Sequence, residues 1–211
     1  MVLTGAHMEQ SSRPSPLRNR VLPDGRITAD PARGLFTGNR GILVDRNGRM
    51  TTRQWAAKAW ITCALEFRGR RRPVARPGTW TELFFLDEAV AFAAGHRPCA
   101  YCRRAEYARF KALWGGLRAV EMDAILHAER LNGRAKRTHL LACDDLPDGA
   151  FMLQDGAPFL VVGTKILPFF PEGYGAPRPR RAGKVQVLTP PCLLRVLGAG
   201  YRPVLHPTAT P

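Results

Sequence analysis

Two cysteines separated by two residues, Cys99 and Cys102, form the pattern in this sequence that most directly indicates chemistry. Two thiolates at this spacing can bind one tetrahedral Zn²⁺, which then needs two further ligands from elsewhere in the chain. The alternative is a pair of ordinary thiols in a turn between two helices. Arginines Arg97, Arg103 and Arg104 flank the pair, and a guanidinium presents parallel donors that match a phosphate. The stretch therefore predicts a metal-organised turn that faces nucleic acid.

Several secondary-structure elements must position this turn. After the aromatic pair Phe84-Phe85, residues 86–93 carry apolar side chains at helical spacing. The helix they predict ends at Gly95, which suits a helix C-terminus. Upstream, residues 58–67 (KAWITCALEF) are rich in β-branched and aromatic residues and predict a strand. Downstream, residues 105–116 and 118–131 have the apolar periodicity of two further helices.

The segment AGHRPCAYC, residues 94–102, resembles the Ada-type metal-binding domain, the zinc module of DNA-repair proteins that handle methylated DNA phosphates. The resemblance covers about residues 55–115. It implies a zinc ion held by thiolates, and Phe67 stands where the family has one of its four cysteines. Cys63 falls at the position of the thiolate that accepts the methyl group in the family. The zinc ligands that the resemblance implies here are Cys63, Cys99 and Cys102.

A fourth zinc ligand has to come from another part of the chain. The residues of suitable type are Cys143, His127, His139 and His96. One of these residues completes the zinc coordination, or the family fold persists without a metal. A thiolate on zinc stays nucleophilic, so methyl acceptance by Cys63 is chemically feasible, but with one thiolate replaced we do not expect it.

A second group of side chains lies on the predicted helix 118–131. Asp123 and His127 are four residues apart and share one face, with Glu129 on a flanking face. A histidine near carboxylates can bind a divalent metal or act as a general base in phosphodiester hydrolysis. The alternative is a solvated helix face with an Asp–His pair, and the spacing matches no recognised nuclease motif. These residues are the catalytic candidates if the protein is an enzyme.

The chain is strongly basic, with 32 Lys and Arg residues against 17 Asp and Glu residues and a formal charge of +15. Residues 1–118 carry +12 of this charge and residues 119–211 carry +3. Such an excess is typical of proteins with a polyanionic partner, most often nucleic acid. The predicted phosphate contacts are Arg68, Arg70, Arg71, Arg72, Arg97, Arg103, Arg104, Lys136 and Arg137.

The predicted fold class is α+β: an Ada-like zinc-knuckle region with flanking helices, followed by a small β-rich unit. We predict a disordered tail over residues 1–20, an Ada-like domain over 21–145 and the β-rich subdomain over 146–211. Two β-hairpins are predicted, one around Asn47-Gly48 between GILVD and RMTTRQW and one around Asp155-Gly156 between AFML and PFLVV. Residues 191–201 predict a short helix. No run of about 20 apolar residues is present, so no membrane span is expected. Five cysteines are too few for a disulfide scaffold and fit a reducing cytoplasm.

These observations favour a cytoplasmic, nucleoid-associated protein that binds DNA, in repair or in handling damaged or unusual DNA. The rival prediction is a metal-dependent nuclease or base-processing enzyme that uses Asp123, His127 and Glu129. A third interpretation is a non-enzymatic protein that binds RNA or acts in assembly.

Overall fold

Two large β-sheets and four α-helices form the framework of residues 16–69 and 74–211, the part of the chain that the computed structural model describes. Strands account for 29% of residues and helices for 20%, which confirms the α+β class. No helix among these residues is long and apolar enough to cross a membrane.

The first sheet has six strands in the order β2-β1-β5-β3-β4-β6. The sequence predicts a hairpin over residues 41–55 and a strand around β4 in an otherwise α-rich first half. The structure closes that hairpin with a bridge between Val44 and Met50, and its six-stranded sheet corrects the α-rich prediction. The missed strands have two to four residues, too short to show the alternation of polar and apolar side chains on which strand prediction depends. The strands are β1 Arg18–Val21, β2 Ile27–Ala29, β3 Phe36–Asn39, β4 Ile61–Ala64, β5 Leu83–Phe85 and β6 Arg97–Pro98.

The helices lie close to their predicted positions: α1 Glu88–Ala93, α2 Arg104–Leu113, α3 Ala119–Arg130 and α4 Pro191–Gly198. Helix α1 begins at Asp87, whose carboxylate accepts a hydrogen bond from the Val90 amide at 2.9 Å, as an N-cap residue should. It ends before Gly95, which has φ of +91°, a conformation that favours glycine.

The second sheet runs in the order β13-β12-β11-β10-β15-β9, with β14 paired to β12. The predicted hairpin is present as β10 and β11, joined by Asp155-Gly156, both at positive φ as in a type I′ turn. Its strands are β9 His139–Ala142, β10 Phe151–Gln154, β11 Ala157–Val162, β12 Lys165–Phe170, β13 Gly173–Tyr174, β14 Arg178–Pro179 and β15 Lys184–Val187. A separate ribbon, β7 Leu131–Asn132 with β8 Ala135–Lys136, follows α3.

Two hydrophobic cores hold the sheets and helices together. One core joins Phe110 and Leu126 of α2 and α3 to Met152 and Val196. The other joins Phe85 and the alanines of α1 to side chains of the second sheet such as Leu160. The boundary predicted at residue 145 therefore separates the strands of the first sheet from most of those of the second. Each hydrophobic core, however, contains side chains from before and after this boundary.

The C-terminal segment is fixed to α1 by two fully buried carboxylates. Asp87 accepts hydrogen bonds from the Tyr174 hydroxyl at 2.7 Å and the His206 amide at 3.1 Å. Glu88 accepts one from the Tyr201 hydroxyl at 2.9 Å. Burial of a carboxylate is costly unless it is hydrogen-bonded, so the acidic pair in the sequence LDEA has an internal structural role.

Candidate metal centre

The sulfur atoms of Cys63, Cys99 and Cys102 all lie within 4.8 Å of one another. Tetrahedral zinc with Zn–S bonds of about 2.3 Å places its sulfurs about 3.8 Å apart. The three thiols are therefore placed to bind one metal ion, and thiolates are the donors that zinc and other soft or borderline ions prefer. The donor set fits such an ion without identifying it.

Strand pairing brings the three cysteines together. Strands β4 and β6 are parallel, with Thr62 opposite Pro98, and the Cys99 amide donates to the Thr62 carbonyl at 2.9 Å. Cys63 is thereby adjacent to the residue that follows β6. The chain then turns tightly, because the Arg103 amide donates to the Cys99 carbonyl at 3.2 Å, and this turn brings Cys102 back to the other two thiols.

The close approach of the three thiols shifts their pKa values in different directions. Cys99 accepts from the thiols of Cys102 and Cys63, which lowers the pKa of Cys99 well below its ordinary value. The bonds to Cys102 and Cys99, together with burial, raise the pKa of Cys63. The bond to Cys63 lowers the pKa of Cys102, but the bond to Cys99 and burial outweigh it, so the net shift is upward. Metal binding releases the remaining thiol protons.

None of the predicted fourth ligands belongs to the cysteine cluster within the described part of the chain. Both ring nitrogens of the fully buried His96 are occupied, with Arg40 Nε at 3.2 Å and the Ala91 carbonyl at 3.2 Å. Cys143 is also fully buried, with its sulfur 3.6 Å from Met152 Sδ in the first of the cores described above.

The two remaining candidate ligands lie at the end of α3 and on β9. His127 Nδ1 lies 3.0 Å from Arg130 Nη2. His139 Nε2 lies 3.0 Å from the Glu129 carbonyl. Neither joins the three thiols, so three of the described residues are placed to bind a metal ion.

Phe67 packs against the turn that carries Cys99 and Cys102. The rings of Phe67 and Tyr101 lie 5.0 Å apart at 63°. The guanidinium carbon of Arg68 lies 5.2 Å from the Phe67 centroid and 5.7 Å from the Tyr101 centroid. Tyr101 keeps 65% of its surface exposed. An aromatic and cationic group therefore stands on the turn that carries two of the three thiols.

Two of the predicted phosphate contacts have internal partners instead. Arg97 is 5% exposed and holds Asp123 with two bonds of 2.8 Å. Arg103 is also 5% exposed and pairs with the buried Glu88 at 2.7 Å. A buried guanidinium is stable when a carboxylate neutralises it, and both arginines meet this condition inside the protein. They are thus structural residues rather than surface contacts for phosphate.

The predicted catalytic residues on α3 are directed to separate partners. Asp123 is held by Arg97, as above, and Glu129 accepts a hydrogen bond from the Cys192 amide at 2.6 Å. The His127 ring packs edge-on to Trp55, with centroids 4.8 Å apart. The described residues form no metal-binding group that contains these three side chains, which leaves the nuclease hypothesis without an assembled site.

The other predicted phosphate contacts have different environments. Arg68, Arg104 and Arg137 are exposed. Lys136 is half-buried, and its ammonium donates to the Ala93 carbonyl. The residues Arg70, Arg71 and Arg72 lie outside the described residues. The pairing of Lys136 with a buried carbonyl has no signal in the sequence, since it depends on the contact between β8 and α1.

No protein-family model, curated protein or solved structure matches this chain. The resemblance to the Ada-type domain is therefore not confirmed, and the shared feature that the structure supports is the group of three thiols.

Proposed function

We propose that this chain is a DNA-binding protein in which a metal-bound cysteine cluster fixes a cationic and aromatic surface against the nucleic acid. The observation that carries the proposal is the exposed Tyr101 ring with the Arg68 guanidinium beside it, on the turn formed by the cysteines. The overall charge of +15 supports a polyanionic partner.

The group formed by Phe67, Arg68 and Tyr101 suits recognition of unpaired or distorted DNA. An exposed aromatic ring offers a face on which a base can stack, and an adjacent arginine adds a phosphate contact. Arg68 has φ of +55°, which is uncommon for a residue other than glycine. Such a conformation persists when the surrounding structure holds it in place, and here the two aromatic rings flank the side chain.

Helix α2 adds a second exposed arginine near the cluster. Arg104 is its first residue and follows Cys102 by two positions. A metal bound by Cys63, Cys99 and Cys102 cross-links β4 to the turn that precedes this helix. Such a cross-link stabilises the folded arrangement, so that Arg68 and Arg104 are presented from a fixed framework.

Salt-dependent DNA binding tests the proposal. The affinity for a fluorescein-labelled DNA containing an unpaired bulge is measured by anisotropy at several salt concentrations. Each phosphate contact contributes a slope of about −0.9 in log K against log[salt] for duplex DNA. We expect Arg68→Ala and Arg104→Ala each to reduce the slope by about that amount, and Tyr101→Ala to weaken binding to the bulge more than to a plain duplex.

Arg195→Ala supplies the matched control, because Arg195 is an exposed arginine on α4, with 67% of its side chain accessible. It should leave the slope unchanged. Equal slopes for the parent, Arg68→Ala and Arg104→Ala would refute the proposed surface.

A further inference from the structure

A cavity of about 320 Å³ lies away from the turn, between the β1–β2 loop, the segment before β4 and the β7–β8 ribbon. This volume is within the range of small-molecule sites. Its lining is dominated by cationic and aromatic side chains, which include Arg26, Arg40, Arg130, Arg134, Lys136 and Trp55.

Arg40 lines this cavity with a guanidinium that is not fully bonded. The side chain is 1% exposed. Its Nε donates to His96 Nε2 at 3.2 Å and its Nη1 to the Gly25 carbonyl at 2.8 Å. Nη2 is buried and has no hydrogen-bond partner. A buried unpaired donor on a charged group is costly, so negative charge in the adjoining cavity would stabilise the Arg40 guanidinium.

Arg130 contributes a second buried guanidinium. Its Nη1 donates to the Gly95 carbonyl at 2.9 Å and its Nη2 to the Lys58 carbonyl at 2.7 Å, while its buried Nε has no partner. The Arg40 and Arg130 guanidinium carbons lie 3.9 and 3.7 Å from the Trp60 ring centroid. Both positive charges are thus held beside one ring.

Lys136 adds a third positive group to the same lining. Burial, followed by the charges of Arg40 and Arg130, lowers the pKa of Lys136 to about 7. Its ammonium donates to the Ala93 carbonyl. The hydrogen bonds of Arg40, Arg130 and Lys136 described here therefore go to neutral acceptors.

The lining provides little negative charge to balance these groups. Asp24 is its one carboxylate, and this side chain already holds Arg26 at 2.6 Å. Asp123, near Arg130, is held by two bonds from Arg97. Taking charges out of water without a counter-ion is unfavourable by several kcal/mol per ion, so the cavity is electrostatically complementary to an anion.

We propose that this cavity binds a phosphate monoester, with Arg40, Arg130 and Lys136 around the phosphate. A phosphate dianion offers two negative charges and several acceptor oxygens, whereas a carboxylate offers one charge and two oxygens. Arginine forks suit phosphate oxygens well. Trp55, half-buried in the lining, gives the organic part of the ester an aromatic surface.

Isothermal titration with three probes tests the proposal: inorganic phosphate, thymidine 5′-monophosphate and a 5′-phosphorylated DNA strand. Thymidine, acetate and the 5′-hydroxyl strand are the matched probes without a phosphate monoester. We expect Lys136→Met to weaken phosphate binding about tenfold or more, and the exposed Arg134→Ala to weaken it by a smaller factor. Lys184→Met, at an exposed lysine of β15, should leave binding unchanged.

Proton uptake gives a second readout. The titratable groups that act on the pKa of Lys136 are Arg40, Arg130, Asp24 and Cys192. A bound dianion raises this pKa, so binding at pH 8 should take up protons. The measured heat then changes with the ionisation enthalpy of the buffer, and this change should disappear in Lys136→Met. Suppose that Lys136→Met both binds phosphate more weakly and loses the proton uptake. Tighter binding of the phosphorylated strand then identifies a DNA end as the natural ligand, and tighter binding of the mononucleotide or of phosphate identifies a small molecule.

The proposal fails if none of the three phosphate probes binds, or if folded Lys136→Met binds them as well as the parent does. This test is separate from that of the proposed DNA surface. Arg68→Ala should leave mononucleotide binding unchanged, and Lys136→Met should leave the salt slope for an internal DNA bulge unchanged.

Discussion

The buried ion pair between Arg97 and Asp123 predicts that Asp123→Ala will strongly destabilise the protein. Arg97 Nε and Nη2 donate to the two carboxylate oxygens of Asp123, both at 2.8 Å. The two side chains are 6% and 9% exposed. Removal of the carboxylate leaves a guanidinium in the interior with no counter-charge, because its remaining bond goes to the Pro98 carbonyl at 3.3 Å.

The expected loss is about 3–5 kcal/mol in the free energy of unfolding, the usual effect of breaking a buried pair from one side. For a chain of 211 residues, each kcal/mol shifts the melting temperature by about 2–4 °C. Asp123→Ala should therefore melt about 6–20 °C below the parent. Arg97→Met together with Asp123→Ala should recover part of this loss, since it removes both charges and keeps an apolar side chain.

Urea unfolding followed by circular dichroism measures these changes, and Glu121→Ala is the matched control. Glu121 of α3 pairs with Arg118, the residue before this helix, at 3.0 Å, but this pair is solvent-exposed, and exposed pairs contribute little. A loss for Asp123→Ala no larger than that for Glu121→Ala would refute the structural assignment. It would return Asp123 to the group of candidate catalytic residues.

Three further predictions concern the metal, a buried acid and a glycine. Elemental mass spectrometry should find about one metal ion per chain. The metal should be lost in Cys99→Ser and retained in Cys143→Ser, because the Cys143 sulfur lies in the core. Equal metal content in both variants would exclude the cysteine cluster as the metal site. Burial raises the pKa of Asp87 from 3.8 to about 6, so the folded state binds this proton more tightly and the contribution of Asp87 to stability falls as pH rises from 4 to 6. Urea midpoints measured from pH 4 to 6 should therefore fall less steeply with pH in Asp87→Asn than in the parent. An identical pH dependence in both would contradict the raised pKa of Asp87. In Gly95→Ala the new Cβ would lie 2.5 Å from the buried Arg130 side chain of α3. Thermal unfolding should therefore show a loss of about 2 kcal/mol or more in the free energy of unfolding. Gly116→Ala is the control, since Gly116 also has a positive φ but nothing lies within 4 Å of its new Cβ, and it should lose less stability.

The sequence was most informative where the pattern is local. Helical spacing of apolar residues located α1 to α3 within a few residues, and the Asp155-Gly156 dipeptide identified the β10–β11 hairpin. The tight Cys99–Cys102 turn was also predicted, because Gly95 and Pro98 limit the conformations that precede it. In each case the physical constraint acts within a few residues along the chain.

The first sheet was not predictable in the same way. Its order β2-β1-β5-β3-β4-β6 places strands together that are distant in the chain, and its strands are too short to show a period. The grouping of Cys63 with Cys99 was expected only through a family resemblance. The structure supplies the physical reason, which is the parallel pairing of β4 with β6.

The sequence by itself determined that the chain has many arginines and one pair of cysteines, Cys99 and Cys102, at a spacing suited to a metal. It did not determine what each arginine does. Arg97 and Arg103 neutralise buried carboxylates, Arg40 and Arg130 line a cavity with unpaired donors, and Arg68 lies exposed beside Tyr101. The role of a guanidinium depends on its burial and on the charge beside it, and only the tertiary structure decides these two properties.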